Sequence, residues 1–381
     1  MSRAVLVKPT SAECNMACRY CFYRDRPTDP YKGLTGRRMD EETLRALIMQ
    51  HLAMNPEEAI FSWQGGEPLL MGLDFFKRVI ELEMEYGAPG QRVGNSVQTN
   101  GTLITKEWAR FFAEYNFLVG LSLDGPKHIH DRHRRTPKGR GSFEAVMRAA
   151  QILREEGAEF NILAVVTDYS AGRAEEVYGF FVENGFRYLQ FIPCVERDPK
   201  TGRIADYSVK PEKYARFLCD LFDLWLGDGR PEVSIRFFDN ILMRFMGMEA
   251  EMCELQPQCG SYIVVEFNGD VYPCDFFVRE EWRLGNIHER PLWEVARSER
   301  MDNFCRIKPG PYKECQRCEW NFLCRNGCPR YRFVWRGNFR DRNYLCEAHR
   351  RFFEHSADGF RKLAERLKGE VEGRRLGAPG E

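Results

Sequence analysis

The sequence has no charge excess of either sign: 56 Lys and Arg balance 56 Asp and Glu, for a formal net charge of zero. A protein that binds mainly through phosphate contacts needs a basic surplus. The balance therefore argues against nucleic acid as a partner, while leaving room for a local basic groove. No apolar run approaches the ~20 residues that span a bilayer, so no membrane partner is expected. Met1 to Thr10 lack the charged start, long apolar stretch and small-residue cleavage site of a secretory signal. Together these absences predict a cytoplasmic protein. The 381 residues suffice for one large domain and a smaller one, or two of ordinary size, and at 43% apolar a sizeable core is available.

Cysteine, by contrast, is abundant, with fourteen in the chain. Disulfides rarely persist in a reducing cytosol. Eleven of the fourteen fall into tight or regular groups, which favours metal ligation. Cys194, Cys219 and Cys305 stand outside those groups. Cys219 lies in an apolar helical stretch and reads as a small buried hydrophobe.

Six short apolar runs read as strands: Ala4–Pro9, Ala59–Gln64, Asn95–Thr99, Val119–Leu123, Phe160–Thr167 and Tyr188–Pro193. Several are continuously apolar, as parallel strands buried on both faces are. Helical patterns lie between them. Asp40 is placed to cap Glu41–Met54, Thr105 to cap Lys106–Tyr115, and Ser142 to cap Phe143–Glu156. Gly157 and Gly185 are placed as stops. Such βα alternation implies a parallel sheet with helical crossovers. Periodicity alone fits either a partly open six-unit barrel or a doubly wound sheet. Near Glu212 the pattern changes. Pro211–Trp225 and Phe238–Met248 read as helices, and Asn268-Gly269-Asp270 between Tyr262–Phe267 and Val271–Tyr272 signals a hairpin. A final helix is expected over Arg350–Leu367, followed by a poorly ordered tail, 368–381.

Just past the first strand, Cys14, Cys18 and Cys21 form C-x3-C-x2-C. Three thiolates on one loop can hold three irons of a cubane and leave the fourth open. Iron–sulfur clusters normally have four cysteine ligands, so the missing one marks a place for a substrate or cofactor. A four-ligand zinc site would need a further donor from elsewhere. Gly65-Gly66-Glu67-Pro68 follows the second strand, and Gln98-Thr99-Asn100-Gly101 and Ser122-Leu123-Asp124-Gly125 end the third and fourth. Strand C-terminal ends are where α/β proteins build sites. Each tetrapeptide alone is no more than a tight turn. In this order, and with the segment CNMACRYC, they resemble the radical S-adenosylmethionine (SAM) superfamily. That resemblance implies a partial (β/α)6 barrel. It also implies a 4Fe–4S cluster on Cys14, Cys18 and Cys21 whose open iron binds SAM. Carried over by resemblance, the SAM contacts are Tyr20, Gly66, Glu67, Ser122, Arg134 and Val195. Arg134 reads otherwise as part of a solvated basic loop, HIHDRHRRT. Val195 rests on its place after the sixth strand.

A second set of cysteines brackets and follows the hairpin: Cys253, Cys259, Cys274, then Cys315-x2-Cys318-x5-Cys324-x3-Cys328, then Cys346. Eight thiolates suit two zinc sites or two iron–sulfur clusters equally. The spacing resembles the cysteine-rich SPASM domain, which implies two auxiliary 4Fe–4S clusters. Family interleaving implies Cys253, Cys259, Cys274 and Cys328 on one, and Cys315, Cys318, Cys324 and Cys346 on the other. The resemblance thus predicts a radical SAM barrel over 1–235, a SPASM domain over 236–367, three 4Fe–4S clusters and SAM.

Within SPASM enzymes the chain most resembles anaerobic sulfatase-maturating enzymes, through Tyr272-Pro273-Cys274-Asp275-Phe276-Phe277. That family implies oxidation of an active-site Cys or Ser of a sulfatase to Cα-formylglycine, with Asp275 as catalytic base. The implied partners are a sulfatase polypeptide carrying Cys/Ser-x-Pro/Ala-x-Arg and a flavodoxin or ferredoxin-like electron donor. An alternative is a SPASM enzyme that crosslinks a ribosomal peptide. Such enzymes often carry an N-terminal peptide-recognition domain, and here the first motif begins at residue 14. A non-catalytic iron–sulfur electron carrier would need neither an open iron nor the glycine-rich motifs.

Overall fold

The computed structural model describes residues 3–24, 26, 28–310 and 312–376. They divide into two compact units. Unit 1 comprises Met1–Leu123, Lys127–Leu163 and Gly260–Arg306, and unit 2 comprises Asp124–Pro126, Ala164–Cys259 and Ile307–Glu381. The strands are β1 (Ala4–Lys8), β2 (Glu58–Trp63), β3 (Arg92–Thr99), β4 (Leu118–Ser122), β5 (Phe160–Val166), β6 (Tyr188–Pro193), β7 (Ser234–Ile235), β8 (Tyr262–Glu266), β9 (Asp270–Tyr272) and β10 (Gly285–Asn286). β1 to β6 are the six strands expected from the sequence.

In unit 1 the strand order is β10-β9-β8-β1-β2-β3-β4-β5. β1 through β5 run parallel, each hydrogen-bonded to the next. The unit boundary falls within β5, and in unit 2 the order continues β5-β6-β7. β10 pairs only with β9, so the sheet ends on an open edge. β1 to β5 lie side by side in chain order, without the order reversal of a doubly wound sheet, so the partial barrel stands and the doubly wound alternative is set aside.

The expected hairpin forms, with Val264 opposite Tyr272, Val265 opposite Val271, and Gly269 at φ +84° in the turn. Its partner was not legible in the sequence. β8 lies parallel to β1, from Ala4 opposite Tyr262 to Lys8 opposite Glu266. The hairpin therefore widens the sheet of unit 1.

Asp40 and Thr105 cap their helices as expected, accepting from Thr43 N (2.8 Å) and Trp108 N (3.4 Å). Ser142 does not. Its hydroxyl pairs with His130 Nε2 (2.9 Å), and the first turn of helix Phe143–Glu155 is served instead by Asp131 Oδ1, which accepts from Phe143 N (2.9 Å). The amphipathic helix Leu73–Tyr86, unassigned from the sequence, sets Phe76 against Trp63 (5.6 Å between rings). Trp63 is fully buried and donates to Asn95 Oδ1 (2.8 Å), so it belongs to the core.

In unit 2, helix Pro211–Leu226 packs along helix Cys346–Leu376, which is longer at both ends than expected. Helical backbone replaces the expected disorder up to Leu376, and 377–381 lie outside the described residues. Phe222, Trp225, Phe238, Phe352 and Phe360 interlock between the helices, with Phe222 and Phe360 centroids 4.8 Å apart. No helix among the described residues is long and apolar enough to cross a membrane.

Candidate functional site

The loop after β1 carries Cys14, Cys18 and Cys21 and is tied down at several points. Ala17 N donates to Arg135 O (2.6 Å) and Arg19 N to His133 O (3.1 Å). This brings the end of helix Lys127–His133 against the cysteines, with Tyr20 beside His133 (5.5 Å) and the Arg134 guanidinium 5.5 Å from the Tyr20 ring centre. Arg134 is thus buried beside Tyr20, and the solvated-loop reading fails. Met16 N donates to Cys14 Sγ (3.3 Å) and Arg24 N to Cys21 Sγ (3.4 Å). N–H donors to sulfur stabilise thiolate ligands and tune clusters. Burial pushes the free Cys14 thiol up to about 12, a penalty that a bound cation reverses.

The glycine-rich turn after β2 closes over this loop. Gly66 N donates to Ser11 O (2.6 Å) and Glu67 N to Glu13 O (2.8 Å). A Cβ on Gly66 would overlap the Glu13 backbone, and Gly65 sits at φ +148°. The glycines are there for close backbone approach. Gly66→Ala is expected to weaken SAM binding by at least about tenfold, or ~1.4 kcal/mol, in equilibrium dialysis of the reconstituted protein. Unchanged affinity would show that the turn does not shape the cofactor cradle.

Glu67 is fully buried. Its carboxylate accepts from Thr99 Oγ1 (2.7 Å), Asn100 N (2.8 Å) and Leu69 N (3.1 Å), while burial pushes its pKa up to about 7. The side chain therefore welds the β2 turn to the end of β3. Asn100 reaches on to Asn15 Oδ1 (2.8 Å) and Cys14 Sγ (3.7 Å). Asn15, which sequence reasoning passed over, is the second residue of CNMACRYC. Ser122 ends β4 and accepts from Gln98 Nε2 (3.0 Å). Tyr20, Gly66, Glu67, Ser122 and Arg134 all belong to unit 1 with the three cysteines. Val195 belongs to unit 2, just past the end of β6, fully buried, with its carbonyl accepting from Arg330 (3.5 Å).

Asp275 follows Cys274 after the hairpin and is buried. Its Oδ2 is 3.4 Å from Lys8 Nζ, at the end of β1, whereas its Oδ1 is buried with no hydrogen-bond partner among the described residues. Lys8 also lies beneath the glycine turn, where a Cβ on Gly65 would touch its side chain at 3.4 Å. One buried lysine thus touches both the β2 turn and the acid beside Cys274. Lys8 Nζ further sits 4.3 Å from the Tyr23 ring centre, and the Tyr23 hydroxyl bonds to Glu266. Burial pushes Glu266 up to about 8 against the pull of Lys8. Sequence reasoning missed Lys8 and Glu266. The signal was a lysine closing an otherwise apolar strand, AVLVK, which reads as a strand end.

Of the second cysteine set, Cys274 lies in unit 1 and the other seven in unit 2. Cys315, Cys318, Cys324 and Cys346 line a single cavity. The buried Lys308 donates to the carbonyls of Cys253 and Glu254 (2.8 Å each), and Cys253, Cys259 and Cys328 each raise its pKa against the lowering by burial. An ammonium set among thiols suits ligands that carry negative charge when bound. The all-sulfur donor sets fit iron–sulfur clusters. Among the described residues, no three His, Cys, Asp or Glu side chains converge as a single ion would need.

Two family patterns match the chain: the radical SAM superfamily over residues 9–181, and an iron–sulfur cluster-binding domain, SPASM, over 253–319. A serine-type anaerobic sulfatase-maturating enzyme of Bacteroides thetaiotaomicron is 39% identical over 370 residues, covering 93% of this chain and 89% of its own. A cysteine-type enzyme of Clostridium perfringens is 38% identical over 367 residues, covering 96% and 99%. A solved structure of native anSMEcpe with bound AdoMet and the Cp18Cys peptide superimposes with a TM-score of 0.88 at 37% identity, over 96% of this chain and 99% of that one. Streptococcus suis SuiB, at 16% identity and a TM-score of 0.62, shares the fold.

Proposed function

The chain belongs to the radical SAM superfamily, among the anaerobic sulfatase-maturating enzymes, and from that premise we propose that it oxidises a sulfatase Cys or Ser to Cα-formylglycine in the cytoplasm. The observation that carries the mechanism is Asp275, buried, with one oxygen held by Lys8 and the other, among the described residues, without a partner.

Cys14, Cys18 and Cys21 would hold three irons and leave the fourth to SAM, with Tyr20, Gly66, Glu67, Ser122 and Arg134 of unit 1 as its contacts; Val195 is carried over by family resemblance alone. By family resemblance alone, the two auxiliary sets would be Cys253, Cys259, Cys274 and Cys328, and Cys315, Cys318, Cys324 and Cys346. When bound, these groups supply a 5′-deoxyadenosyl radical that takes a hydrogen atom from the substrate Cβ, and an acceptor for the electron lost next. The protein's own part is the proton. Asp275 Oδ1 takes it from the substrate thiol or hydroxyl as the electron leaves, giving a thioaldehyde or an aldehyde. Water then exchanges the thioaldehyde sulfur for oxygen. Lys8 keeps Oδ2 engaged, so the acid presents a single oxygen. A flavodoxin or ferredoxin-like protein supplies electrons, and the working division is a barrel over 1–235 and a SPASM domain over 236–367.

The test is anaerobic. Reconstituted protein should hold about twelve irons. With SAM, dithionite and a peptide containing Cys-x-Pro-x-Arg, the peptide should lose about 18 Da as 5′-deoxyadenosine is released, and a Ser peptide about 2 Da. Release of 5′-deoxyadenosine beside an unchanged peptide would redirect the activity to another peptide, such as a ribosomal precursor. Zinc in place of iron would overturn the reading.

A further inference from the structure

A second cavity, of about 590 Å³, opens in unit 2 beside the one lined by four cysteines, and the two share Cys315, Arg332 and Arg342. Its lining is strongly basic. Lys313, Arg332, Arg336, Arg340 and Arg342 face two carboxylates, Glu314 and Asp341. That is a local surplus of three positive charges in a chain whose net charge is zero.

The basic wall is locked in place. Arg332 is buried over the Tyr312 ring (3.6 Å) and donates to Asp341 O (2.9 Å) and Asn326 O (2.6 Å). Its charge acts as a staple. Gly337, at φ +75°, ends helix Pro329–Arg336, and the chain turns back through 338–342 with Asn338 Nδ2 donating to Asp341 Oδ2 (3.1 Å). This turn leaves Arg336, Arg340 and Arg342 exposed along one rim, with Lys313 also exposed and Trp335 half-buried between them. Exposed cations around an aromatic, on a stapled turn, form a surface for an acidic partner.

We infer that this cleft docks a small acidic electron-transfer protein, one carrying a flavin or an iron–sulfur group. The inference rests on the iron–sulfur reading of Cys315, Cys318, Cys324 and Cys346. Docking against Cys315 sets the partner's redox group against the wall of that cavity. One electron then passes between the two, lost by one group and gained by the other, with no bond made or broken. Charge complementarity of this kind acts mainly on the association rate and makes it depend on salt.

The test uses reconstituted holoenzyme and reduced flavodoxin, an acidic flavin protein, as the probe. The second-order rate of electron exchange is followed by stopped flow from about 20 mM to about 300 mM salt. The wild-type rate should fall at least about tenfold over that range. At low salt the double variant Arg336→Glu/Arg340→Glu should be slower by at least the same factor and lose most of its salt dependence. The variant should keep its iron and its dithionite-driven peptide oxidation. A control of equal charge change, Lys106→Glu/Arg110→Glu at exposed positions of helix Lys106–Glu114, should match wild type. A salt-independent wild-type rate would overturn the inference, as would a double variant within about twofold of wild type. So would a variant that loses affinity for a whole sulfatase while exchanging electrons normally, since the cleft would then be a substrate surface. If wild type with dithionite fails to oxidise any peptide, it is the proposed function that fails, and the docking rates still report on the cleft.

Discussion

Replacing Asp275 with asparagine is expected to cut formylglycine formation by about 10²–10⁴-fold while 5′-deoxyadenosine release continues. The carboxamide has the shape of the acid and still offers Lys8 an oxygen at the position now 3.4 Å from Nζ. It cannot take a proton. Hydrogen abstraction comes before that need arises, so the early chemistry survives and the later step stalls. Mass spectrometry of the peptide, alongside quantified 5′-deoxyadenosine, separates the two. Peptide oxidation at the wild-type rate would exclude Asp275 as base and move attention to Glu266, the other buried acid near Lys8. The substitution also leaves the Lys8 charge without its carboxylate. Breaking a buried pair costs about 3–5 kcal/mol, softened here by Glu266 and the Tyr23 ring. A melting curve of the variant therefore belongs with the activity data.

Changing Cys14, Cys18 and Cys21 together to alanine is expected to abolish SAM cleavage and lower bound iron from about twelve to about eight per chain. The loss should be confined to one centre, because the eight remaining ligands lie elsewhere in the sequence. The loop itself has other anchors, in the bonds from Ala17, Arg19 and Gly66, so the variant should fold. Iron and sulfide assays with 5′-deoxyadenosine chromatography give the answer. Surviving cleavage would refute the assignment of the motif, whatever the peptide result.

The parallel strands were legible because burial on both faces leaves continuous apolar runs such as those of β1 and β4. The thiolate spacing was legible because it is local in sequence. What escaped was long-range. Asn268-Gly269 announces a hairpin, yet nothing in β8 says that it will pair with β1. Helix Lys127–His133 is too polar to show a period, and only its bonds to the cysteine loop reveal that Arg134 faces inward. Ser142 had the right chemistry for a cap, but His130 engaged its hydroxyl first. Lys8 was invisible for the same reason as β8: the acid that pairs with it, Asp275, is distant in the chain.

That distance has a consequence on the ribosome. Val7 pairs with Val265, about 260 residues later, and at about 5–20 residues per second the gap lasts roughly 13–50 s. Throughout that interval the nascent chain presents β1 with one edge bare, a template for pairing with a neighbouring chain. It also carries a lysine whose two acids, Glu266 and Asp275, have yet to be made. An ammonium without its counterions resists burial, so the first strand cannot settle into its final environment until synthesis has passed the hairpin. Fragments that stop before Tyr262 should collect in inclusion bodies, and yields of the whole protein should rise when holdase chaperones are supplied.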